Sequence, residues 1–229
     1  MIRILYEDHD IIVTVKPPGM DSQEKHGFAP DMVSEIRKHL DKLSTKESTR
    51  GKVPYVGVVH RLDKPVGGVM VYAKNPKAAA ALSKQIQEGK LKKTYLAAVC
   101  GNLVDNVGNY VDYLRKDEKQ NYSQIVDKSV DGAKRAELSY RVLKRNIIEG
   151  KPVALAEIRL HTGRHHQIRA QFAGRGTPLW GDGKYGKRVP GQSLALWSWG
   201  LVLEHPVSKK IMEFTAEPEN GILKQFLDG

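Results

Sequence analysis

The alternation of apolar and polar positions divides the chain into short segments. Ile2–Leu5 and Ile11–Val15 read as two strands joined by the polar turn Glu7–Asp10, and Lys16-Pro17-Pro18-Gly19 ends the second. Met32, Val33, Ile36, Leu40 and Leu43 recur at helical spacing, which predicts a helix over Asp31–Leu43 with Asp31 or Pro30 at its start. The polar stretch Ser44–Lys52 reads as a mobile loop and the best site for proteolysis. Val53–Val59 and Val66–Ala73 read as strands that bracket His60-Arg61-Leu62-Asp63-Lys64-Pro65, placing that cluster on a connection, where functional residues concentrate. Asn75-Pro76 opens a helix with Ala79, Leu82 and Ile86 on one face and Gly89 at its end.

Thr94–Val99 is the next strand, closed by Gly101. Asn109–Leu114, Gln124–Val126, Ala136–Leu143 and Pro152–Leu160 follow as strands separated by charged turns. His165–Ala173 reads as a helix with Ile168 and Phe172 on one face and Gly174 after it. Ala195–Leu203 and Lys210–Thr215 flank His205-Pro206. Many strands, few helices and no βαβ alternation predict an α+β fold on a mixed, mostly antiparallel sheet. With no repeat and no shift in composition, one domain over 1–229 is expected.

Composition narrows the class. Hydrophobic residues at 40% and charged residues at 28% of 229 suit a water-soluble globular protein with a core. Apolar runs such as Ala78–Leu82 are far shorter than the roughly 20 residues of a membrane helix, and Ile11–Val15 follows acidic residues, unlike a signal peptide. A lone cysteine, Cys100, excludes an intramolecular disulfide; it reads as a buried, inert thiol and fits a cytoplasmic location. Lys plus Arg at 37 against Asp plus Glu at 26 gives a net charge of +11, which favours a polyanionic partner, nucleic acid or an anionic membrane surface.

Asp63, between Arg61 and Lys64 on a connection, can be a carboxylate held ionised for work as nucleophile or base; its other reading is an Asx-turn before Lys64-Pro65. His161-Thr162-Gly163-Arg164-His165-His166-Gln167-Ile168-Arg169 offers a helix start able to take an anion. Its three histidines lack a carboxylate or cysteine at metal-ligand spacing, so no metal is expected there. Gly181-Asp182-Gly183-Lys184-Tyr185-Gly186 lacks the Walker spacing and reads as a structural turn. Trp180, Trp197 and Trp199 read as packing residues.

Taken together, Val59-His60-Arg61-Leu62-Asp63 with Val69–Asn75, Lys93-Thr94-Tyr95-Leu96-Ala97 with Gly101, Thr162–Arg169, and Gly181-Asp182 with Tyr185-Gly186 resemble the RluA-type RNA pseudouridine synthases. Glu7-Asp8, Lys16-Pro17, Gly19 and His205-Pro206 agree, in the family's order over nearly the whole chain. Departures are Lys64-Pro65-Val66-Gly67-Gly68, where many members carry a Thr-Ser-Gly turn, and His165, where threonine is frequent. The resemblance implies a stand-alone catalytic domain without the small RNA-binding S4 domain, and a pseudouridine synthase-like fold with a central RNA-binding cleft. Asp63 is implied as the catalytic aspartate, Tyr95 as the ring that stacks on a flipped uracil, and Arg169 as the ionic partner of Asp63. The resemblance also implies that Ile168 packs on the base and that Arg61, His60, Arg164 and His166 contact substrate RNA. The implied reaction isomerises uridine in structured large-subunit ribosomal RNA or tRNA without cofactor or metal, in a monomer. A non-catalytic basic RNA-binding module and a metal-dependent hydrolase are the competing readings. The module does not explain an aspartate amid a basic cluster, where it repels phosphate.

Overall fold

Antiparallel pairing dominates, as the strand-rich sequence predicts. The computed structural model describes residues 2–24, 29–43, 53–219 and 221–229; the loop expected over 44–52 lies outside them. The chain runs through β1 (Arg3–Glu7), β2 (Ile11–Lys16), α1 (Met32–Leu43), β3 (Gly57–Val58), β4 (Gly67–Ala73) and α2 (Pro76–Gln87). It continues with β5 (Lys92–Cys100), β6 (Val107–Asp117), β7 (Tyr122–Val126), β8 (Lys134–Ile148), β9 (Lys151–Leu160) and α3 (Gln167–Ala173). β10 (Leu196–Glu204), β11 (Ile211–Thr215) and α4 (Gly221–Asp228) complete it. The described residues form two compact units: those up to Leu91 with Ser198–Ala216, and Lys92–Trp197 with those from Glu217.

In the first unit β2 is buried along its whole length between β1 and β4, with Ile11 opposite Ala73 and Lys16 opposite Gly68. β3 pairs with the far end of β4, and β11 pairs with β10. The Ser198 hydroxyl of β10 donates to the Val69 carbonyl at 3.0 Å. Gly68 makes this approach possible: its φ is +121°, and a Cβ there would lie 2.2 Å from the Ser198 carbonyl oxygen. Asp31 starts α1 by accepting from the Ser34 N–H and hydroxyl, while Met32, Val33 and Ile36 supply its buried face. Asn75 caps α2 by accepting from the Ala78 N–H at 2.8 Å, with Pro76 in the first turn.

The second unit orders its strands β5-β9-β8-β6-β7, every neighbour antiparallel. α3 lies on one face of this sheet through Phe172, whose ring meets Tyr110 and Tyr140 edge-on at 5.2 and 5.6 Å. α4 packs by Leu223 and Phe226, and the Lys144 ammonium donates to the Phe226 carbonyl near its C-terminal end.

Several boundaries differ from the sequence reading. β3 keeps only two of the residues expected over Val53–Val59. β6 and β8 run longer, to 11 and 15 residues, because their exposed positions carry the charges that the pattern reads as turns. α3 begins at Gln167, since His166 has φ +51°, outside helical geometry. α4 has no counterpart in the sequence reading. Trp180 and Trp197 are buried as expected, but Cys100 is only half-buried, and burial raises its thiol pKa.

Candidate functional site

Asp63 stands on the connection between β3 and β4, half-buried, between exposed Arg61 and exposed Lys64. Its backbone neighbours are tied down on both sides. Leu62 is bracketed by Ser22, whose hydroxyl accepts from the Leu62 N–H at 3.0 Å and donates to the Leu62 carbonyl at 2.8 Å. Tyr72, fully buried in β4, holds Ser22 in turn by donating to its carbonyl at 3.0 Å. The Asp63 carbonyl accepts from Val66 N–H at 2.9 Å, closing a turn. His60 is occupied within the unit: Val71 N–H donates to its Nε2 at 3.2 Å, which leaves Nδ1 as the protonated nitrogen.

The strongest tether is one that the sequence did not reveal. Lys16, at the end of β2, is 0% exposed. Its ammonium donates to the carbonyls of Pro17 (3.1 Å), Met20 (2.6 Å) and Lys64 (3.1 Å), and Gly19 N–H donates to the same Lys64 oxygen at 2.8 Å. Burial pulls its pKa down to about 8, opposed by the negative charges of Asp21 and Asp63, with Lys64 adding a smaller push downward.

This burial makes a signed prediction. Between pH 8 and about 10.4 folded Lys16 has released its proton while the unfolded chain still holds it. The unfolded state therefore binds more protons, and the contribution of Lys16 to stability rises with pH across that window, by roughly 3 kcal/mol at most. Denaturant unfolding of wild type and Lys16→Met at pH 8, 9 and 10 isolates it. Wild-type stability should gain on that of the variant as pH rises; parallel curves would refute the depressed pKa.

In the second unit Tyr95 is buried on β5 opposite Ile158, and α3 buries Ile168 and Arg169. The Arg169 guanidinium grips Asp182 with two parallel bonds of 2.8 Å, Nε to Oδ2 and Nη2 to Oδ1. The side chains are 7% and 0% exposed. Asp182 Oδ1 also accepts from the N–H groups of Lys184 and Tyr185, both at 3.1 Å. The glycine-rich turn thus supplies a buried carboxylate partner for Arg169 as well as a bend. Arg169 lies 5.0 Å from the centre of the Tyr185 ring. The Tyr185 hydroxyl accepts from Ser123 N–H at 2.7 Å and sits 3.0 Å from His166 Nδ1. Burial, then the charge of Arg169, lowers the His166 pKa to about 2, so no second cation forms beside the guanidinium. Burial likewise raises Tyr185 to about 12 and keeps it a phenol.

The expected anion site at the start of α3 is filled by the chain itself. Gln167 Oε1 accepts from Arg164 N–H and the Thr162 hydroxyl, and its amide donates to the Glu137 carbonyl. Arg164 is exposed, with Nε on the Arg135 carbonyl at 2.8 Å. Each of the three histidines has its own hydrogen-bond partner, His161 with Ser139, His165 with Ser123 and His166 with Tyr185, and the rings of His165 and His166 stack at 3.7 Å. Among the described residues a metal-like grouping occurs at Asp8, Asp10 and His205. There His205 Nδ1 accepts from Val207 and Ser208 N–H, so its proton sits on Nε2, 2.7 Å from Asp8 Oδ2. That nitrogen is a donor to a carboxylate and has no lone pair for a metal.

Known proteins match this chain along most of its length. The profile of a family described as RNA pseudouridylate synthase matches residues 10–174. An uncharacterized RNA pseudouridine synthase of Aquifex aeolicus (strain VF5) is 35% identical over 227 residues, covering 94% of this chain and 69% of the relative. The ribosomal large subunit pseudouridine synthase D of Nitrosomonas europaea is 32% identical, over 92% of this chain and 60% of its own length. In fold, the structure of human RNA Pseudouridylate Synthase Domain Containing 4 superposes with a TM-score of 0.74 at 21% identity, over 95% of this chain and 89% of that one.

Proposed function

Because this chain belongs to the RNA pseudouridylate synthase family, we propose that it isomerises uridine in large-subunit ribosomal RNA with Asp63 as the catalytic group. The chain is an RNA-modifying isomerase by that membership. The choice of RNA rests on relatives named for the large ribosomal subunit, with tRNA as the alternative target. The observation that carries Asp63 is its setting: a half-buried carboxylate on a loop whose main chain is tethered by buried Ser22 and Lys16.

In this reading the uridine leaves the RNA stack, at a cost of a few kcal/mol, and its base lies on Tyr95 with Ile168 packed beside it. The C1′–N1 bond breaks, C1′ joins C5, the hydrogen on C5 leaves as a proton, and the freed N1 takes up a proton. No atom is gained from a co-reactant, so one carboxylate suffices where a hydrolase that exchanges its leaving group for water uses two. Arg169 takes the role of ionic partner that the family resemblance gives it, and Asp182 sets the orientation of its fork. Arg61 and Arg164, both exposed, contact the RNA backbone. His60 and His166 act from behind, one on β4 and the other through Tyr185. The enzyme works as a cytoplasmic monomer; among the described residues no helix is long and apolar enough to cross a membrane.

The direct test is tritium release from RNA transcripts carrying 5-tritiated uridine, since forming the C1′–C5 bond expels that hydrogen. Large-subunit transcripts should release tritium, faster than tRNA and equally with or without chelator. Release that chelator abolishes and zinc restores would favour the hydrolase-like metal reading. No release from either RNA would favour the binding module. Binding should also weaken steeply with salt, given the +11 charge, and a flat plot of log K against log salt would contradict it.

A further inference from the structure

Lys90, Lys92 and Lys93 lie within four residues of one another, and the structure gives them different surroundings. Lys90 is exposed and pairs with Glu88 at 2.8 Å, and Lys92 faces solvent. Lys93 is partly withdrawn, and burial lowers its pKa with no charged neighbour among the described residues offsetting the effect. Its position on β5 is informative. Lys93 pairs with Leu160 and Leu160 with Leu138; two residues on, Tyr95 pairs with Ile158 and Ile158 with Tyr140. Cross-strand partners and residues two apart share a face of the sheet. Tyr140 touches Phe172, so this is the face that carries α3 with Ile168 and Arg169. Above Lys93 lies the Thr162-Gly163-Arg164 turn. A Cβ on Gly163 would meet the Lys93 ammonium at 3.4 Å, and the glycine keeps that side clear.

A shielded ammonium without a counter-charge is costly, and an arriving anion reverses the cost. Lys93 stands one strand repeat, about 7 Å, from Tyr95 on the same face, a separation on the scale of one nucleotide. We propose that Lys93, under the Gly163 turn, is a phosphate subsite for the RNA backbone at the nucleotide whose base lies on Tyr95. The proposal rests on the reading of Tyr95 given above. Lysine suits this role as a compact point charge, whereas the planar Arg169 fork suits a carboxylate.

The test compares wild type, Lys93→Met and Lys93→Arg for binding to an unmodified large-subunit ribosomal RNA transcript across a salt series. Losing one phosphate contact should weaken binding of the Met variant about tenfold at low salt and make its log–log salt slope shallower by about one. The Arg variant should keep the wild-type slope. The melting temperature of the Met variant should hold or rise, since a buried charge is gone. An unchanged slope in Lys93→Met overturns the subsite. So does a lower melting temperature with a binding loss that arginine does not rescue, which marks a structural lysine. Tritium release by Asp63→Asn is measured in parallel: retained turnover there would sink the catalytic reading, while the salt slope alone decides the subsite.

Discussion

Asp63→Asn should bring pseudouridine formation down to the level of a no-enzyme control. Asparagine has nearly the same shape and keeps one oxygen, but a neutral amide is neither a nucleophile nor a base. The loop should keep its place, because its tethers are the main-chain groups of Leu62, Lys64 and Val66, which the substitution leaves alone. RNA affinity should hold or rise slightly, since a charge that repels phosphate is removed. One indirect effect is expected. Lys16 loses one of the two negative charges that oppose its depressed pKa, so its pKa should fall further. The measurement is tritium release per folded molecule, with RNA affinity and melting temperature from the same preparation. Turnover near the wild-type rate would remove Asp63 from the chemistry, and lost stability with intact turnover would make it a turn-forming aspartate.

Asp182→Asn should damage both the fold and the reaction. The change leaves the buried guanidinium of Arg169 facing an amide that offers one acceptor oxygen in place of a charged pair. Breaking a buried ion pair from one side costs about 3–5 kcal/mol. For a chain of this size that corresponds to a fall in melting temperature of roughly 10 °C. The turn suffers as well, because Asp182 Oδ1 organises the N–H groups of Lys184 and Tyr185. If Asp182 orients Arg169 for the reaction, kcat per folded molecule should drop well below wild type while KM for RNA changes little. A melting temperature within a degree of wild type would refute the ion-pair account. An unchanged kcat per folded molecule would leave Asp182 with a structural role only.

These two aspartates mark how far the sequence could be read. Asp63 stood out as a candidate because a carboxylate between two cations on a strand connection is chemically conspicuous, and because its neighbours form a motif in register with others; the structure places it on that connection, half-buried. Asp182 was not. Its partner lies 13 residues upstream on a helix that packs it out of water, and a glycine-rich turn explains an aspartate without any such partner. Lys16 was hidden for the same kind of reason. A lysine before Pro-Pro-Gly reads as the exposed end of a strand, and its burial depends on the Lys64 carbonyl, 48 residues away. α1 and α2 announced themselves by apolar spacing and capping residues. The ends of β6 and β8 did not, because a strand with one face in water carries the same lysines and arginines as a turn. α3 was found, yet its start was misplaced by the left-handed His166, a conformation no side-chain pattern signals.

The Lys64 oxygen receives both the Lys16 ammonium and the Gly19 N–H, while the Lys64 side chain stays 54% exposed and pairs with Asp21 at 3.6 Å. An exposed pair of that length contributes little. What anchors the loop at this position is an atom every amino acid possesses. Mutation can therefore exchange the charge shown beside Asp63 for a neutral or bulky group without relocating the carboxylate. With Asp63 in its proposed role, substitutions at position 64 should change RNA affinity and leave turnover intact.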